Sequence, residues 1–268
     1  MNSASAALLS PVACIGRTTL SLVAELGGLF IFLSQGLLQI VIPPLQWRKT
    51  VQQVYFIGVK SVYVIALIGL FTGMVLGLQG YYTLVKFGSE GLLGAAVSLS
   101  IIRELGPVLT AIMLTGRAGS SMAAEIGIMR ISEQIDALIT MDINPMRFLI
   151  APRLAASLLC FPLLTALFDV IGILGGYLTG VILLGINPGV YFDRIDAAVE
   201  LTDVTGGFVK SLVFALLVAA ICCYEGYFTH TRPGGFGAKG VSLATTAAVV
   251  LSCVTILVAD YVLTSFLL

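Results

Sequence analysis

The stretch SLSIIRELGPVLTAIMLTGR, residues 98–117, is an apolar run that carries two adjacent charges, Arg103 and Glu104. On a helix, residues at i and i+1 do not face each other, so the two charges do not simply neutralise one another. Each needs a partner of its own. Charged residues inside a membrane helix mark functional sites by default, and this stretch predicts a membrane helix that faces one.

The composition supports a membrane protein. The 268 residues are 58% hydrophobic and only 10% charged, whereas soluble domains carry about 25% charged residues. Too little polar surface exists to coat a soluble globule, so we predict a single all-α integral membrane domain over residues 1–268. Fourteen basic residues balance fourteen acidic ones, which gives no indication of a nucleic-acid partner.

Five segments are long enough to cross a membrane, which takes about 20 apolar residues each. They are 54–80, 92–116, 149–185, 207–225 and 241–268. The third would extend about 55 Å as a helix. Because it has no turn residues near Asp169, we predict one helix, tilted or kinked at Pro162, rather than two spans.

The basic residues indicate the orientation. With five spans, one side carries nine of them: Arg17, Arg48, Lys49, Arg117, Arg130, Arg147, Arg153, Arg232 and Lys239. The other side carries Lys86 and Arg194. By the positive-inside rule, the N-terminus is cytoplasmic, the C-terminus is outside, and the loop 187–206 is outside.

Residues 18–42 are ambiguous on physical grounds. The run is long enough to cross, but it contains Glu25, Gln35 and Gln39 and ends at Pro43-Pro44. It is equally compatible with a sixth span and with a helix that lies in the membrane interface.

Two glycine ladders occur in the predicted first and third spans. Their members are Gly69, Gly73, Gly77 and Gly172, Gly176, Gly180. Small residues at every fourth position let helices approach closely, so the ladders predict tight packing within the chain or across a dimer.

No motif for nucleotide hydrolysis or other hydrolytic chemistry occurs in the sequence. The single histidine, His230, lies in a polar loop and is interpreted as an ordinary exposed residue. We therefore predict a chain that is not an enzyme, so that any uphill transport draws its energy from a partner or an ion gradient.

The segment 117–145 on the predicted cytoplasmic side indicates an amphipathic helix. Ser120 or Ser121 is expected to cap its start, and Asn144-Pro145 to close it. Its predicted apolar stripe is Ile128, Ile131, Ile135 and Leu138, and its polar side is Glu125, Met129, Arg130, Ser132, Glu133 and Asp136. Helices that rest on the anionic inner leaflet usually have basic polar faces. The acidic face favours a protein partner instead.

Three charged residues, Glu104 among them, fall within or near predicted spans. Glu104 would lie about 18 Å into the second span, near the bilayer centre, with Lys210 and Asp260 near the outer face. Such charges line functional sites by default. The alternative is a buried ion-pair clasp that holds helices together.

Three sequence blocks resemble the MlaE permease family. They are GMVLGLQGY (73–81), IRELGPV (102–108) and GRAGSSMAAEIGIMRISEQIDAL (116–138), supported by MDINP (141–145) and the terminal ADYVLTSFLL. The similarity begins near residue 50. Members of that family are membrane subunits of ABC transporters that move phospholipid between the two membranes of Gram-negative bacteria and maintain outer-membrane lipid asymmetry.

The resemblance implies a homodimer in the bacterial inner membrane with five transmembrane helices, preceded by an in-plane interfacial helix over 1–46. It also implies a cytoplasmic ABC ATPase pair, which would hold the ATP and Mg, and a periplasmic hexameric MCE-domain protein. A small STAS-type accessory protein on the ATPase is compatible with it. No cofactor or metal is implied for this chain.

The resemblance also implies roles for particular residues. The lipid cavity would be lined by Leu76, Thr83, Leu84 and Phe87, with Arg103, Glu104, Lys210 and Asp260 as its charges. We expect Glu104 to pair with Lys210 and Arg103 to be available to the lipid phosphate. The coupling helix within 117–145 would meet the ATPase through Glu125, Met129, Arg130, Glu133 and Asp136.

Two other functions are compatible with the residues. One is an ion-coupled secondary transporter of lipids or small molecules that uses Glu104, Asp169 and Asp260 as proton carriers, although the inverted repeats typical of such proteins are not evident in the sequence. The other is a scaffold that assembles an MCE complex without transporting anything.

Overall fold

The structure is a computed structural model that describes residues 3–41, 46–231 and 236–267. Regular structure within those ranges is helical throughout. The chain is therefore an all-α membrane protein, as its composition predicts. Pro43, Pro44 and Arg232 lie outside the described residues, and so does the side chain of Arg17. The predictions that use them concern the end of the first helix and the distribution of basic residues.

The α-helices of the described ranges are α1 (Ser3–Val41), α2 (Trp47–Ile57), α3 (Val62–Leu84), α4 (Leu93–Ser100), α5 (Gly106–Leu114), α6 (Ser120–Ile131), α7 (Gln134–Thr140), α8 (Ala151–Tyr177), α9 (Pro188–Ala198), α10 (Leu201–Tyr227) and α11 (Gly237–Leu267). Short π-helical segments extend some of them: Ile101–Leu105, Thr115–Gly119, Met146–Ile150 and Leu178–Leu183. Six helical stretches are long and apolar enough to cross a membrane by length and composition, including Val23–Ile40 of α1.

The third predicted span is one continuous helix, as expected. It runs from Met146 to Leu183 with Pro162 inside it. Pro162 is buried inside this helix, which continues past it although a proline removes one backbone donor and crowds the carbonyl one turn earlier. We call the end where α8 begins the basic end, after Arg147 and Arg153, and the end where it finishes the acidic end, after Asp193 of α9.

The glycine ladders pack α3 against α8 within the chain. A Cβ at Gly69 would lie 3.1 Å from the Phe168 carbonyl oxygen, and one at Gly73 would overlap the Gly172 carbonyl. Gly77 lies against Gly176. The paired numbers rise together, so the two helices run in the same direction. Glycine is required here because any side chain would push the backbones apart.

The second span and α10 also run in parallel. A Cβ at Gly207 would lie 2.7 Å from the Ile102 carbonyl oxygen, and one at Gly226 would lie 2.7 Å from that of Ala123. Helix α11 runs antiparallel to α10, since Lys210 near the start of α10 lies 3.1 Å from Asp260, whereas the later Cys222 contacts the earlier Ser252 at 3.6 Å. These directions are compatible with the five-span prediction.

The described side-chain contacts of helix α1 include two at the basic end of the bundle. Phe32 packs against the Tyr224 ring, with centroids 5.6 Å apart, near the end of α10. A Cβ at Gly36 would meet Leu154 near the start of α8. Both of these contacts lie at one level of the bundle, so this part of α1 crosses the helix ends instead of running alongside them.

The predicted outer loop 187–206 is largely helical. Asn187 caps α9 by accepting a hydrogen bond from the Gly189 N–H at 2.8 Å. Tyr191 of α9 is fully buried, and its hydroxyl donates to the Ile173 carbonyl at 3.1 Å. Helix α10 begins at Leu201, six residues before the predicted span, because Glu200 and Asp203 form a capping box there. This earlier start brings Asp203 into the helical bundle.

Candidate functional site

Lys210 of α10 is the centre of a charged cluster between three helices. Its side chain is 3% exposed, and its ammonium lies 2.8 Å from Glu104 Oε2 and 3.1 Å from Asp260 Oδ1. It also donates to Thr264 Oγ1 at 2.7 Å. The buried ammonium is thus paired with two carboxylates, and the expected pairing of Glu104 with Lys210 is confirmed.

Pro107 in the second span leaves a backbone carbonyl available to Lys210. In an α-helix the Arg103 carbonyl would accept from the N–H of residue 107, but Pro107 has none. The backbone forms a π-helical turn over Ile101–Leu105, and the Lys210 ammonium donates to the Arg103 carbonyl at 2.9 Å. The orphaned acceptor is thus satisfied by the cluster.

Arg103 lies beside the cluster and has a different partner. Its Nε donates to Asp203 Oδ1 at 2.7 Å, and its side chain is 42% exposed while that of Asp203 is 9% exposed. The other Asp203 oxygen accepts from the Glu200 N–H at 3.1 Å, as part of the capping box. Arg103 therefore has a carboxylate partner of its own, and its availability to a lipid phosphate stays a prediction. Asp203 holds one edge of the guanidinium, and no contact of its two terminal nitrogens is recorded with the described residues.

Two cavities adjoin these side chains. A small one of about 50 Å³ is lined by Arg103, Glu104, Thr202, Asp203, Gly206, Gly207, Lys210, Thr264 and Leu267. A larger one of about 320 Å³ is lined by Leu76, Gln79, Gly80, Thr83, Leu84, Ala96, Val97 and Ser100. Ser100 lies one helical turn before Arg103 and Glu104, so an apolar cavity and an exposed guanidinium follow each other along one helix.

The structure brings together most of the residues implied by the family resemblance. Leu76, Thr83 and Leu84 line the apolar cavity. Phe87 does not, because it follows α3 in a short turn and is 76% exposed. Asp260 belongs to the cluster through Lys210 but does not line the small cavity.

Sequence reasoning missed Asp203 and Thr264. The spacing of Glu200 and Asp203 ahead of an apolar run is a helix-start signal, which would have placed α10 earlier and Asp203 near Arg103. Thr264 lies four residues after Asp260 on α11, and therefore on the same face of that helix.

Asp169, a proton carrier in the secondary-transporter alternative, stands apart from the cluster. One of its oxygens occupies the space that a side chain at Gly106 would fill. It forms no ion pair with any residue that the structure describes. The three acids of that alternative therefore do not form one site.

The coupling segment differs from its prediction. The second span continues through a π-helical turn into α6, so Ser120 begins no separate helix, and its hydroxyl donates to the Gly116 carbonyl instead. The helix breaks after Ile131, where Glu133 adopts a left-handed conformation with φ 58°. Of the predicted apolar stripe, Ile135 is buried and Ile131 and Leu138 are partly buried, as expected. Ile128 is the exception at 54% exposed, and Ile126 is buried instead.

Two of the acids on this segment have partners within the chain. Glu125 Oε2 lies 2.9 Å from Arg153 Nη2, and the arginine is buried while Glu125 is 47% exposed. Asp136 Oδ1 lies 2.7 Å from Arg130 Nη1. Glu133 is exposed and has no cation partner among the described residues. The acidic face is therefore partly neutralised, and Glu133 is its most available charge.

His230 is half-buried against Arg130, so the expectation of an ordinary exposed histidine is wrong. Arg130 Nε donates to His230 Nδ1 at 3.0 Å, and its Nη2 lies 3.1 Å from Nε2. Burial, followed by the positive charge of Arg130, lowers the pKa of His230 below its usual value, against the opposing effect of Asp136. The histidine is held in its neutral form.

Comparison with known proteins agrees with the geometry. The family model for Permease MlaE matches residues 50–266. The chain belongs to the MlaE permease family. It is similar to a probable ABC transporter permease protein of Rickettsia bellii, at 41% identity over 96% of this chain and 97% of the relative.

Two other relatives have more specific names than the Rickettsia protein. The intermembrane phospholipid transport system permease protein MlaE of Haemophilus influenzae is 42% identical over 81% of this chain and 82% of its own length. The chloroplastic protein trigalactosyldiacylglycerol 1 of Arabidopsis thaliana is 37% identical over 88% of this chain and 66% of its own length. The chain is thus similar both to bacterial permeases and to a chloroplastic plant protein.

Proposed function

We propose that this MlaE permease is the membrane subunit of an ABC transporter that moves phospholipid between the inner and outer membranes, and so maintains outer-membrane lipid asymmetry. The observation that carries the proposal is the succession of an apolar cavity and the half-exposed Arg103 guanidinium along the second span. A phospholipid has the same succession of acyl chain and phosphate. Arginine binds phosphate through two parallel N–H groups. The two terminal nitrogens of Arg103 have no hydrogen-bond partner among the described residues.

The clustered charges then divide into two roles. Lys210, Glu104 and Asp260 hold three helices together behind the cavity, while Arg103 contacts the lipid phosphate. Leu76 and Leu84 contact the acyl chain, with Thr83 between the two regions. Phe87 lies outside the apolar cavity at the end of α3, at the level of the membrane interface, where aromatic side chains are enriched.

The proposed orientation places the basic end in the cytoplasm and the C-terminus in the periplasm, within the bacterial inner membrane. It rests on the distribution of basic residues and on the five-span prediction. Helix α1 is proposed to lie in the inner interface. Its contacts with Tyr224 and Leu154 at the basic end support this proposal. Cysteines introduced at Asp196 and Lys239 should react from opposite sides, and reaction of both from one side would contradict this orientation.

The proposed partners follow from the ends of the bundle. An ABC ATPase pair, holding ATP and Mg, docks on α6 and α7 through Met129 and Glu133, and a STAS-type protein on that ATPase is compatible with this arrangement. A second copy of this chain completes the transport cavity, and a hexameric MCE-domain protein covers the acidic end. The permease itself carries out no chemistry.

A crosslinking experiment tests the transport proposal. A photo-reactive residue at Leu76, inside the cavity, should capture phospholipid in an amount that changes when the ATPase turns over. The same residue at Val75, which is 50% exposed and does not line the cavity, should capture bilayer lipid independently of ATP. Equal capture at both positions, with or without ATP, would contradict the proposal and favour the scaffold.

A further inference from the structure

A second cavity lies at the basic end of the bundle, far from the Lys210 cluster. It has a volume of about 300 Å³ and lies where α1, α2 and α8 meet. Its lining residues are Gln39, Ile40, Gln46, Trp47, Thr50, Arg147, Ala151, Pro152, Ala155, Leu158 and Leu159. This volume is at the lower end of the range for small-molecule sites, about 300–1,000 Å³, and suits part of one acyl chain.

The polarity of the lining changes along the helix axis. Arg147, Gln39 and Gln46 lie at the outer end of the cavity, and Leu158 and Leu159 at its inner end. From Arg147 to Leu158 is about 17 Å along a helix, close to half of a hydrocarbon core of about 30 Å. The cavity therefore extends through one leaflet, with its charge at the headgroup level.

Two features of the outer end point to a polar ligand group. The side-chain oxygen of Gln46 is buried and accepts no hydrogen bond from any residue that the structure describes. A buried amide without a partner costs free energy unless a ligand or water supplies one. Arg147 supplies positive charge beside it, and Arg48 is exposed on the adjacent turn of α2.

Trp47 indicates the depth of this end. It lines the cavity and is 69% exposed. Tryptophan is enriched at the boundary between headgroups and acyl chains, which matches the level at which the charge of the cavity lies.

We propose that this cavity binds one glycerophospholipid from the leaflet at the basic end. Its acyl chain lies along Ala155, Leu158 and Leu159, and its phosphate lies near Arg147. This lipid is a resident ligand that links α1 and α2 to α8, distinct from the transported one. Naming the leaflet cytoplasmic rests on the proposed orientation, but the site itself does not.

Crosslinking after removal of loosely bound lipid tests the site. Leu159 and Leu163 are both exposed on α8, at 57% and 69%, and lie one turn apart, but only Leu159 lines the cavity. A photo-reactive residue at Leu159 in the full-length chain should still yield a phospholipid adduct by mass spectrometry after extensive detergent washing. The same residue at Leu163 should lose its adduct. Parallel loss at both positions would overturn the proposal.

A cavity-filling variant provides the second measurement. Ala155→Phe should lower the Leu159 adduct by about tenfold, and Ala155→Leu should lower it less while disturbing the fold little. An unchanged adduct in the folded Leu variant and in the Phe variant would overturn the site. Capture at Leu76 in the transport cavity should be unaffected by either variant. Failure of the Leu76 experiment alone would contradict the transport proposal and leave this one standing.

Discussion

The two buried cations at opposite ends of the bundle, Lys210 and Arg153, differ in how completely they are satisfied. Lys210 contacts two carboxylates, a hydroxyl and a carbonyl. Arg153 contacts one carboxylate, that of Glu125, and the Leu149 carbonyl at 2.8 Å, while its Nε is buried without a hydrogen bond. The first arrangement ties Lys210 to two other helices. The second relies, among the described contacts, on one carboxylate that is 47% exposed.

The difference suggests a division of labour between the two ends. A fixed clasp keeps the second span, α10 and α11 together behind the transport cavity. At the basic end, the ion pair between Glu125 and Arg153 joins α6 to α8, where the proposed ATPase docks. We therefore expect a charge change to lower stability more at Lys210 than at this ion pair.

The largest expected effect is that of Lys210→Met. The variant leaves Glu104 and Asp260 facing each other without a cation, which should lower the free energy of unfolding by about 3–5 kcal/mol. Thermal unfolding in detergent measures it. The triple variant that adds Glu104→Gln and Asp260→Asn should recover most of the lost stability. A single variant that melts like the wild type would show that the cluster is no clasp.

A smaller effect is expected at the basic end from Glu125→Lys. It places a second cation beside buried Arg153 and should lower the free energy of unfolding by about 1–3 kcal/mol, between the values for exposed and buried pairs. Glu133→Lys is the matched control because it makes the same charge change without an internal partner.

The two variants separate folding from docking. Glu133→Lys should melt like the wild type and yet lose the co-purifying ATPase. If Glu133→Lys retains the ATPase fully, the coupling segment does not bind it through this charge, and the interpretation of a membrane-resting helix becomes correct.

The smallest effect is a pH dependence from His230. Its folded-state pKa lies below the ordinary value of 6.5, so the unfolded chain binds more protons as pH falls through that value. Its contribution to stability is therefore complete above that ordinary value and is lost as the pH falls through the lower, folded-state pKa. The melting temperature should fall over this range, and His230→Asn should reduce the fall. Identical pH profiles would show that the contact with Arg130 has no energetic role.

Much of the fold can be predicted from the sequence because each span carries its own signal. The apolar runs place the five helices. The two glycine ladders predict tight packing within the chain or across a dimer, and the structure shows it within the chain, between α3 and α8. The pairing of Glu104 with Lys210 follows from the need of every membrane charge for a partner.

What could not be predicted depends on helix boundaries and long-range contacts. The break at Glu133 is not marked by glycine or proline, so a continuous amphipathic helix was the natural interpretation. Glu125 meets Arg153 across two elements that are separate in sequence, and the acidic face therefore looked less neutralised than it is. Asp203 was placed in a loop because an apolar-run criterion begins α10 too late.

The role of Arg103 tests the central claim most directly, through lipid transfer by proteoliposomes that contain the ATPase and the MCE protein. Arg103→Gln should lose transfer, and its free energy of unfolding should fall by no more than about 1–3 kcal/mol, because Arg103 is 42% exposed and its partner Asp203 is 9% exposed. Asp203→Asn removes the same ion pair but keeps the guanidinium, and it should retain transfer. Normal transfer by folded Arg103→Gln, or equal loss in both variants, would contradict the assignment of Arg103 to the lipid phosphate.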